Sequence, residues 1–346
     1  MPDLSKPLFF DIDGICQLKV HGEPGLVQVV WNELKFYEVE PGDIPFTLDL
    51  ELQLARLGDY VKSTNPANMP PFDFAGRHKL ARWVVRFERL EQAPHRMRFY
   101  GNWASRLVLA KQIIEPAIRW LSFPLGFIFV HSTCLCREGR GVLVAGPGGS
   151  GKTRLLLRWL AQGYPFLSDD YTILSWGQAR RFITPLRLGA RLLRESGARQ
   201  NLGTMRQAWI YGRAALRRLL LNYAKLQAKV DFRELFPQVP MLETAELKAA
   251  IVIEGSSQSL SEIQAGEMTE KLSGINQEEM YGFAGYLEGL SARTGNSSFR
   301  EFFPAQKERL LHFLSSIPCF RIGEIRNFKL SEVDGLIGEI SDLLKP

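Results

Sequence analysis

A glycine-rich segment, GPGGSGKTR at residues 146–154, constrains the fold of this chain more than any other feature. It follows the apolar run GVLVA at 141–145 and precedes LLLRWLAQGY, whose apolar residues recur with helical spacing. Residues 146–153 fit the pattern G-x-x-x-x-G-K-[ST], in which successive backbone N–H groups turn inward around an anion. The sequence therefore predicts an α/β fold with a phosphate-binding loop between a strand and a helix.

Each residue of this loop has an expected role. The side chain of Lys152 is expected to reach the β- and γ-phosphates of a nucleotide, and the hydroxyl of Thr153 to hold Mg²⁺. The N-terminus of the following helix adds a favourable field for an anion. We expect ATP and Mg²⁺ as cofactors, with another nucleotide or pyrophosphate as open alternatives. The candidate cofactor-binding residues are Gly146, Gly148, Gly149, Ser150, Gly151, Lys152, Thr153 and Arg154.

Two neighbouring acids and a histidine follow predicted strands on either side of this loop in the sequence. Asp169 and Asp170 come sixteen residues after Thr153, and His131 ends the apolar run FIFV. The ends of adjacent strands in a parallel α/β sheet converge on one crevice, so we expect these side chains beside the loop. A solvated Asp-Asp turn and a structural histidine are the alternatives that the sequence leaves open.

These elements together carry a family resemblance. The segment FVHSTCLCREGRGVLVAGPGGSGKTRLLLRWLAQGYPFLSDDYTIL resembles the core of the HPr kinase/phosphorylase family and its HprK-like relatives, over about residues 125 to 185. The resemblance implies a P-loop kinase core related to phosphoenolpyruvate carboxykinase and transfer of a γ-phosphoryl group to a serine hydroxyl. It also implies that Asp169 is the base, that Asp170 and Thr153 bind the metal, and that His131 and Lys152 lie near the transferred group.

The stretch after the aspartates departs from the family pattern. It reads ITPLRLGARLLRESGAR and lacks the glycine- and arginine-containing signature of HPr kinases. We therefore expect the acceptor to be a serine-type hydroxyl of a peptide or protein other than HPr. A kinase for a small alcohol such as free serine, a sugar or a polyol is the alternative, as is a nucleotide-binding regulatory module without transfer.

Other classes of nucleotide-binding protein fit less well. A GTPase would need an N-K-x-D motif, which is absent. An ATPase machine of the AAA or ABC type would need a strand that ends in an acidic pair. The strand AIVIEG offers Glu254 alone, and LSGIN at 272–276 is only a fragment of an ABC-like signature.

The pattern along the chain predicts two domains. Residues 1–104 are expected to form a β-rich domain, because FTLDLELQLA, WVVRFERL and HRMRFYGNW alternate apolar and polar residues and turn segments such as STNPANMPPFDFAG separate them. Residues 105–346 are expected to form the kinase domain, with a basic helical insertion at about 188–235. In this domain the pattern predicts a helix from Ser105 to Trp120 and a strand pair formed by FLSDDYTILSW and RRFITPL. Residues 171–230 hold ten arginines and two lysines against the single acid Glu195. Helical spacing places Arg187, Arg191 and Arg194 on one face, either as a clamp for an anionic acceptor or as partners of the glutamates of 241–290.

The cysteines and the most apolar segment indicate where in the cell the protein is expected. The four cysteines are too few and too scattered for a disulfide framework, which favours buried thiols in a reducing cytoplasm. Residues 113–130 are apolar, but Glu115, Arg119 and two prolines interrupt them, so we predict a core helix and a buried strand and no membrane span. No leader peptide is evident.

A nucleic-acid partner is not favoured, because the basic block lacks a recognisable binding motif, and a homo-oligomer remains open.

Overall fold

A computed structural model of the chain describes residues 2–42, 46–55, 73–90, 93–219 and 227–345. The fold is mixed α/β with mixed sheets, which confirms the predicted fold class at that level. Contacts divide the chain into two units, Met1–Phe127 with Gln277–Gln306 and Ile128–Asn276 with Lys307–Pro346. The sequence-based boundary between residues 104 and 105 stays a prediction.

The helices and strands of the described residues have the following bounds. The helices are α1 (Pro24–Leu34), α2 (Glu115–Ser122), α3 (Lys152–Ala161), α4 (Ala190–Glu195), α5 (Thr204–Leu219), α6 (Phe232–Leu235), α7 (Ala265–Glu279), α8 (Tyr281–Thr294), α9 (Ser298–Leu314) and α10 (Leu330–Leu343). The strands are β1 (Leu8–Ile12), β2 (Cys16–Gly22), β3 (Glu38–Val39), β4 (Leu48–Leu54), β5 (Asp73–His78), β6 (Ala81–Glu88), β7 (His95–Gly101), β8 (Ile128–Val130), β9 (Ser132–Arg137), β10 (Arg140–Ala145), β11 (Phe166–Ser168), β12 (Thr172–Ser175), β13 (Gln178–Arg180), β14 (Leu186–Leu188), β15 (Ala228–Val230), β16 (Thr244–Ile253), β17 (Ser261–Ile263) and β18 (Cys319–Ile322).

The first unit contains a seven-stranded sheet with the order β3-β1-β2-β4-β7-β6-β5. Strands β2 and β4 and strands β4 and β7 pair in parallel, and the other neighbours are antiparallel. Leu48, Leu50 and Leu52 of β4 are buried on one face, because successive side chains of a strand point to opposite faces. The strands predicted from the three alternating segments are confirmed as β4, β6 and β7.

Helix α8 belongs to the core of the first unit although it lies late in the chain. The indole nitrogen of Trp83 on β6 donates a hydrogen bond of 2.8 Å to the hydroxyl of Tyr286 on α8. The ring of Phe87 packs edge-on against Phe283 and Tyr286, and such aromatic pairs stabilise a core beyond the area they bury.

The second unit contains a nine-stranded mixed sheet that positions the candidate site. Its main path runs β11-β9-β10-β16-β13-β12-β8, and β18 joins β16 and β17. Strand β16 pairs in parallel with β10 and with β18, so the carboxyl ends of these three strands lie at one edge. The long apolar runs of β10 and β16 are buried, as is typical of parallel strands covered on both faces.

Some local predictions are wrong. The segment RRFITPL was predicted to pair with the strand after the aspartates, but residues 181–185 form no strand and β12 pairs instead with β13. The connection is a two-residue turn at Trp176 and Gly177, where φ is 45° and 79°. Such a turn requires positive φ at both positions and usually carries Asn-Gly or Gly-Gly, so Trp-Gly gave no clear signal.

The basic region is helical only in part. Helices α4 and α5 confirm the helical prediction there, but Arg187 lies on β14, which pairs with β15. The helical prediction is wrong at Ala228–Val230, which form β15. Residues 220–226 lie outside the described residues, as does most of the predicted turn STNPANMPPFDFAG. The predicted helix from Ser105 to Trp120 is divided into a 3₁₀ turn, a π turn and α2.

The apolar stretch at 113–130 forms α2 and then β8, which confirms a core helix followed by a buried strand. Among the described residues, no helix combines the length and the apolar character that a membrane crossing requires.

Candidate functional site

The glycine-rich loop, residues 146–151, connects the end of β10 to the start of α3. Gly151 has a φ of 113°, and a Cβ atom there would lie 2.7 Å from the backbone nitrogen of Arg326. That nitrogen donates a hydrogen bond of 3.0 Å to the carbonyl oxygen of Ser150. The conformation of the loop thus depends on a glycine at 151 and on the segment that follows β18.

The loop has the properties of an anion cradle. The hydroxyl of Ser150 is buried and has no hydrogen-bond partner among the described residues. The positions where Gly148 and Gly149 would carry a Cβ face open space. A phosphate group fits a site that combines an unbonded buried hydroxyl, small residues and the N-terminus of α3.

The pairing between two neighbouring chain segments is interrupted beside this loop. Val130 of β8 pairs with Thr172 of β12, and Cys134 of β9 pairs with Ser168 of β11. The residues between these pairs, 131–133 on one segment and 169–171 on the other, face each other across the gap. His131 and the two aspartates are therefore brought together, as predicted from the sequence.

Side-chain hydroxyl groups and one side-chain amide form hydrogen bonds at this gap. The Thr133 hydroxyl donates to the carbonyl oxygen of Ser168 at 2.8 Å, and Ser132 donates to the Thr172 hydroxyl at 2.9 Å. The side chain of Asn276 on α7 accepts from the His131 backbone N–H at 3.1 Å and donates to the Phe129 carbonyl at 3.0 Å. Asn276 thereby holds the bend at His131 in place.

Lys152 connects the loop to His131. Its ammonium group is buried and donates to the carbonyl oxygen of Gly146 at 2.6 Å and to Nε2 of His131 at 3.1 Å. Because Nε2 accepts this bond, a neutral His131 carries its proton on Nδ1. Nδ1 lies 3.7 Å from a carboxylate oxygen of Asp170. The three side chains form a continuous series from the loop to the aspartates.

Thr153 contacts the other aspartate. Its hydroxyl lies 3.1 and 3.4 Å from the two carboxylate oxygens of Asp169, which is 6% exposed. Burial and, after it, the charge of Asp170 raise the pKa of Asp169 to about 6, although the Thr153 hydrogen bond and the charge of Lys152 oppose the rise. A carboxylate of this kind can accept a proton near neutral pH.

The oxygens of Thr153 and Asp169 also suit Mg²⁺. This ion prefers oxygen ligands, retains several waters and commonly uses one or two carboxylates together with substrate phosphates. No cluster of three or more histidine, cysteine or acidic side chains able to hold a metal occurs in the described part of the chain. The sequence predicted Thr153 and Asp170 as ligands, whereas in the structure Asp169 lies next to Thr153 and Asp170 lies next to His131.

The side chain of Arg154 is engaged within the protein. Its buried guanidinium donates to Glu195 at 2.7 Å and to the carbonyl oxygens of Ile325 and Phe328 at 2.7 and 2.8 Å. Burial opposes ionisation of Glu195, but hydrogen bonds from Arg191 and Arg154 hold the pKa of that carboxyl below its usual value. These contacts join α3 to the segment after β18, and a direct role for Arg154 in nucleotide binding stays a prediction.

The three arginines predicted to share a helical face are separated. Arg187 on β14 lies 3.9 Å from Asp170, whereas Arg191 on α4 pairs with Glu195 at 2.8 Å. Arg194 is exposed on the same short helix. Of the alternative partners at 241–290, Glu243 pairs with Arg181 at 3.3 Å.

Sequence reasoning missed the supporting roles of Asn276 and Glu195. Glu195 carried a signal, since it is the single acid in a strongly basic block. Asn276 carried none, because an asparagine within a helical segment has no pattern that predicts a contact across 145 residues.

No protein-family model matches the chain, and a search of curated protein sequences likewise finds no match.

Proposed function

We propose that this protein is a Mg²⁺-dependent kinase of the HPr kinase-like type, which transfers the γ-phosphoryl group of ATP to a serine-type hydroxyl of a peptide or protein other than HPr. The observation that carries the proposal is the convergence of Lys152, His131, Thr153 and Asp169 beside the glycine-rich loop. Phosphoryl transfer needs a phosphate cradle, positive charge, a metal ligand and a proton acceptor in one place.

Asp169 is the proposed general base. An alcohol is a poor nucleophile, so a carboxylate within hydrogen-bond reach takes its proton as the oxygen–phosphorus bond forms and the bond to the leaving diphosphate breaks. The pKa of about 6 suits this task, because the carboxylate is ionised at neutral pH and is still basic enough to accept a proton.

Lys152 and His131 are proposed to organise charge around the transferred group. In the structure the Lys152 ammonium is held by the Gly146 carbonyl and by His131. When phosphate fills the loop, the ammonium exchanges one of these bonds for a phosphate oxygen and neutralises charge that builds during transfer. Asn276 accepts a hydrogen bond from the backbone N–H of His131, so His131 is held in place and limits how far the Lys152 ammonium moves.

Thr153 and Asp169 or Asp170 are proposed to hold Mg²⁺, which when bound neutralises charge on the β- and γ-phosphates. The geometry leaves two assignments for the aspartates. Either Asp169 is the base and Asp170 the ligand, as the family resemblance implies, or Asp169 binds the ion with Thr153. Replacing each aspartate by asparagine separates them, because loss of the base lowers the transfer rate and loss of a ligand raises the Mg²⁺ requirement.

The test uses ATP labelled at the γ-phosphate and cell extract divided into protein, peptide and metabolite fractions. We expect Mg²⁺-dependent labelling in the protein or peptide fraction, and no labelling by the Lys152→Ala variant. The matched control is Lys329→Ala, which changes a lysine at the start of α10.

Each of the other outcomes identifies a different function. Labelling confined to the metabolite fraction would indicate a small-alcohol kinase. Phosphate release without any labelled acceptor would indicate an ATPase. Nucleotide binding without turnover in any fraction would indicate a regulatory module and would refute the kinase.

A further inference from the structure

Helix α5 carries an apolar stripe that faces solvent. The exposed fraction is 89% at Met205, 39% at Trp209 and 47% at Leu216. The opposite face holds the helix to the second unit through buried Ile210 and through Arg206, whose side chain donates to Glu234 at 3.1 Å. The stripe follows helical spacing and consists of Met205, Ala208, Trp209, Gly212, Ala215 and Leu216, all of them exposed.

Positive charge lies along this stripe. The guanidinium groups of Arg206 and Arg213 stand 4.8 and 5.1 Å from the centre of the Trp209 ring. Arg213 has no carboxylate partner among the described residues, and its Nε has no hydrogen-bond partner there. The stripe thus combines an exposed tryptophan with a guanidinium group that lacks an anion.

We infer that α5 docks on an anionic phospholipid surface. The apolar side chains would enter the boundary between headgroups and acyl chains, and Arg213 would pair with a phosphate, as in amphipathic helices that lie in the membrane interface. Arginine suits this pairing because its planar guanidinium binds two phosphate oxygens at once. The inference does not depend on the proposed kinase activity.

The charge distribution favours this occupant over other partners. A second copy of the chain would bring the arginines of two α5 helices together, and like charges oppose such a contact. Several arginines of residues 171–230 already pair with acids of the protein, namely Arg181, Arg187, Arg191 and Arg206. The single guanidinium of Arg213 beside an apolar stripe suits a phosphate headgroup above acyl chains better than it suits an acidic helix with several carboxylates. Nucleic acid would satisfy the arginines but would leave Met205 and Leu216 in water.

Lipid vesicles test the inference directly. The full chain is mixed with phosphatidylcholine vesicles that contain 30 mol% phosphatidylglycerol, and bound protein is measured by flotation. Because about one kcal/mol is gained for each basic residue near an anionic surface, Arg213→Gln should weaken partitioning about fivefold. Trp209→Ser should weaken it about tenfold, since roughly half of a large apolar side chain is removed from the interface. Binding to pure phosphatidylcholine should be much weaker.

Two control variants match these substitutions. Trp176 on the turn between β12 and β13 is 79% exposed and lies outside the stripe, so Trp176→Ser should bind as wild type does. Arg300→Gln removes an exposed arginine of the first unit and should also bind normally. Circular dichroism establishes that each variant is folded, and Met205→Ser replaces Trp209→Ser if the latter is not.

The depth of Trp209 provides a second measurement. Phosphatidylglycerol with brominated acyl chains should quench tryptophan fluorescence in the wild type, and Trp209→Phe should bind normally and lose that quenching. Failure of the wild type to bind anionic vesicles would overturn the inference. Vesicle binding that neither Arg213→Gln nor Trp209→Ser changes would also overturn it. So would displacement of the protein from vesicles by an acidic peptide or a DNA oligonucleotide, if that displacement requires Trp209.

Discussion

Asp169→Asn is expected to stabilise the protein at neutral pH while it lowers the proposed phosphoryl transfer. The carboxyl group of Asp169 is 6% exposed and is closest to the hydroxyl of Thr153. Ionisation of this group in the folded protein is opposed first by burial and then by the neighbouring charge of Asp170. Asparagine has nearly the same shape and can still accept the Thr153 hydrogen bond, but it carries no charge.

The magnitude follows from the pKa difference. The carboxyl group titrates at 3.8 in a model compound and at about 6 in the folded protein. Each pKa unit corresponds to 1.36 kcal/mol, so ionisation costs the folded state about 3 kcal/mol. Below pH 3.8 the carboxyl is neutral in both folded and unfolded protein, and its full contribution to stability is present. Between about pH 4 and 6 that contribution is lost as the unfolded state ionises first, and above pH 6 the loss is complete.

The assay is chemical denaturation of the ligand-free protein at a series of pH values. The variant should equal the wild type near pH 4 and exceed it by about 3 kcal/mol in free energy of unfolding at pH 7 to 8. In a protein that already carries Asp170→Asn, Asp169→Asn should raise the free energy of unfolding by less, because the charge that helps to raise the pKa of Asp169 is absent. A gain that does not vary with pH, or a loss of stability at pH 8, would refute the reasoning.

Three further predictions test the loop and its support. Lys152→Ala should lower phosphoryl transfer by roughly 10²- to 10³-fold, the effect of removing one preorganised donor, as measured by labelled-ATP turnover at saturating acceptor. Gly151→Ala should cost about 2–4 kcal/mol in denaturation, because positive φ and a 2.7 Å approach to Arg326 both oppose a Cβ, whereas Gly148→Ala should cost less than half as much. Arg154→Met should cost about 3–5 kcal/mol, because it leaves two buried carbonyl groups unpaired and removes one of the two arginine partners of Glu195. The matched change Arg158→Met breaks a half-buried pair with Asp334 near the surface and should cost about 1 kcal/mol. Equal losses in the two arginine variants would contradict this difference.

The site residues were predictable because they follow a local pattern. A glycine-rich segment after an apolar strand and before a helix predicts the loop, and the positions of His131, Asp169 and Asp170 at strand ends predict their proximity. The sequence could not predict which aspartate contacts Thr153, since that depends on how residues 169–171 leave the sheet. Asp170 adopts a φ of 72°, which turns the two carboxylates to different neighbours.

The parts of the fold that were missed depend on distant partners. Arg187 has helical spacing with Arg191, but its segment forms β14 because β15, about forty residues later, offers it a backbone partner. Tertiary pairing of this kind overrides local periodicity. Helix α8 likewise joins the first unit through Tyr286 and Phe283, and no local signal in its sequence identifies that core as its partner.

Because the loop contacts Arg326, it can adopt its final conformation only after that residue has been synthesised. Ser150 and Arg326 are joined by a hydrogen bond although they are 176 residues apart in the chain. During synthesis at about 5–20 residues per second, the loop leaves the ribosome roughly 10 to 35 seconds before its supporting segment does. Until that segment has joined the sheet, the Ser150 carbonyl lacks the hydrogen bond that Arg326 donates in the folded protein.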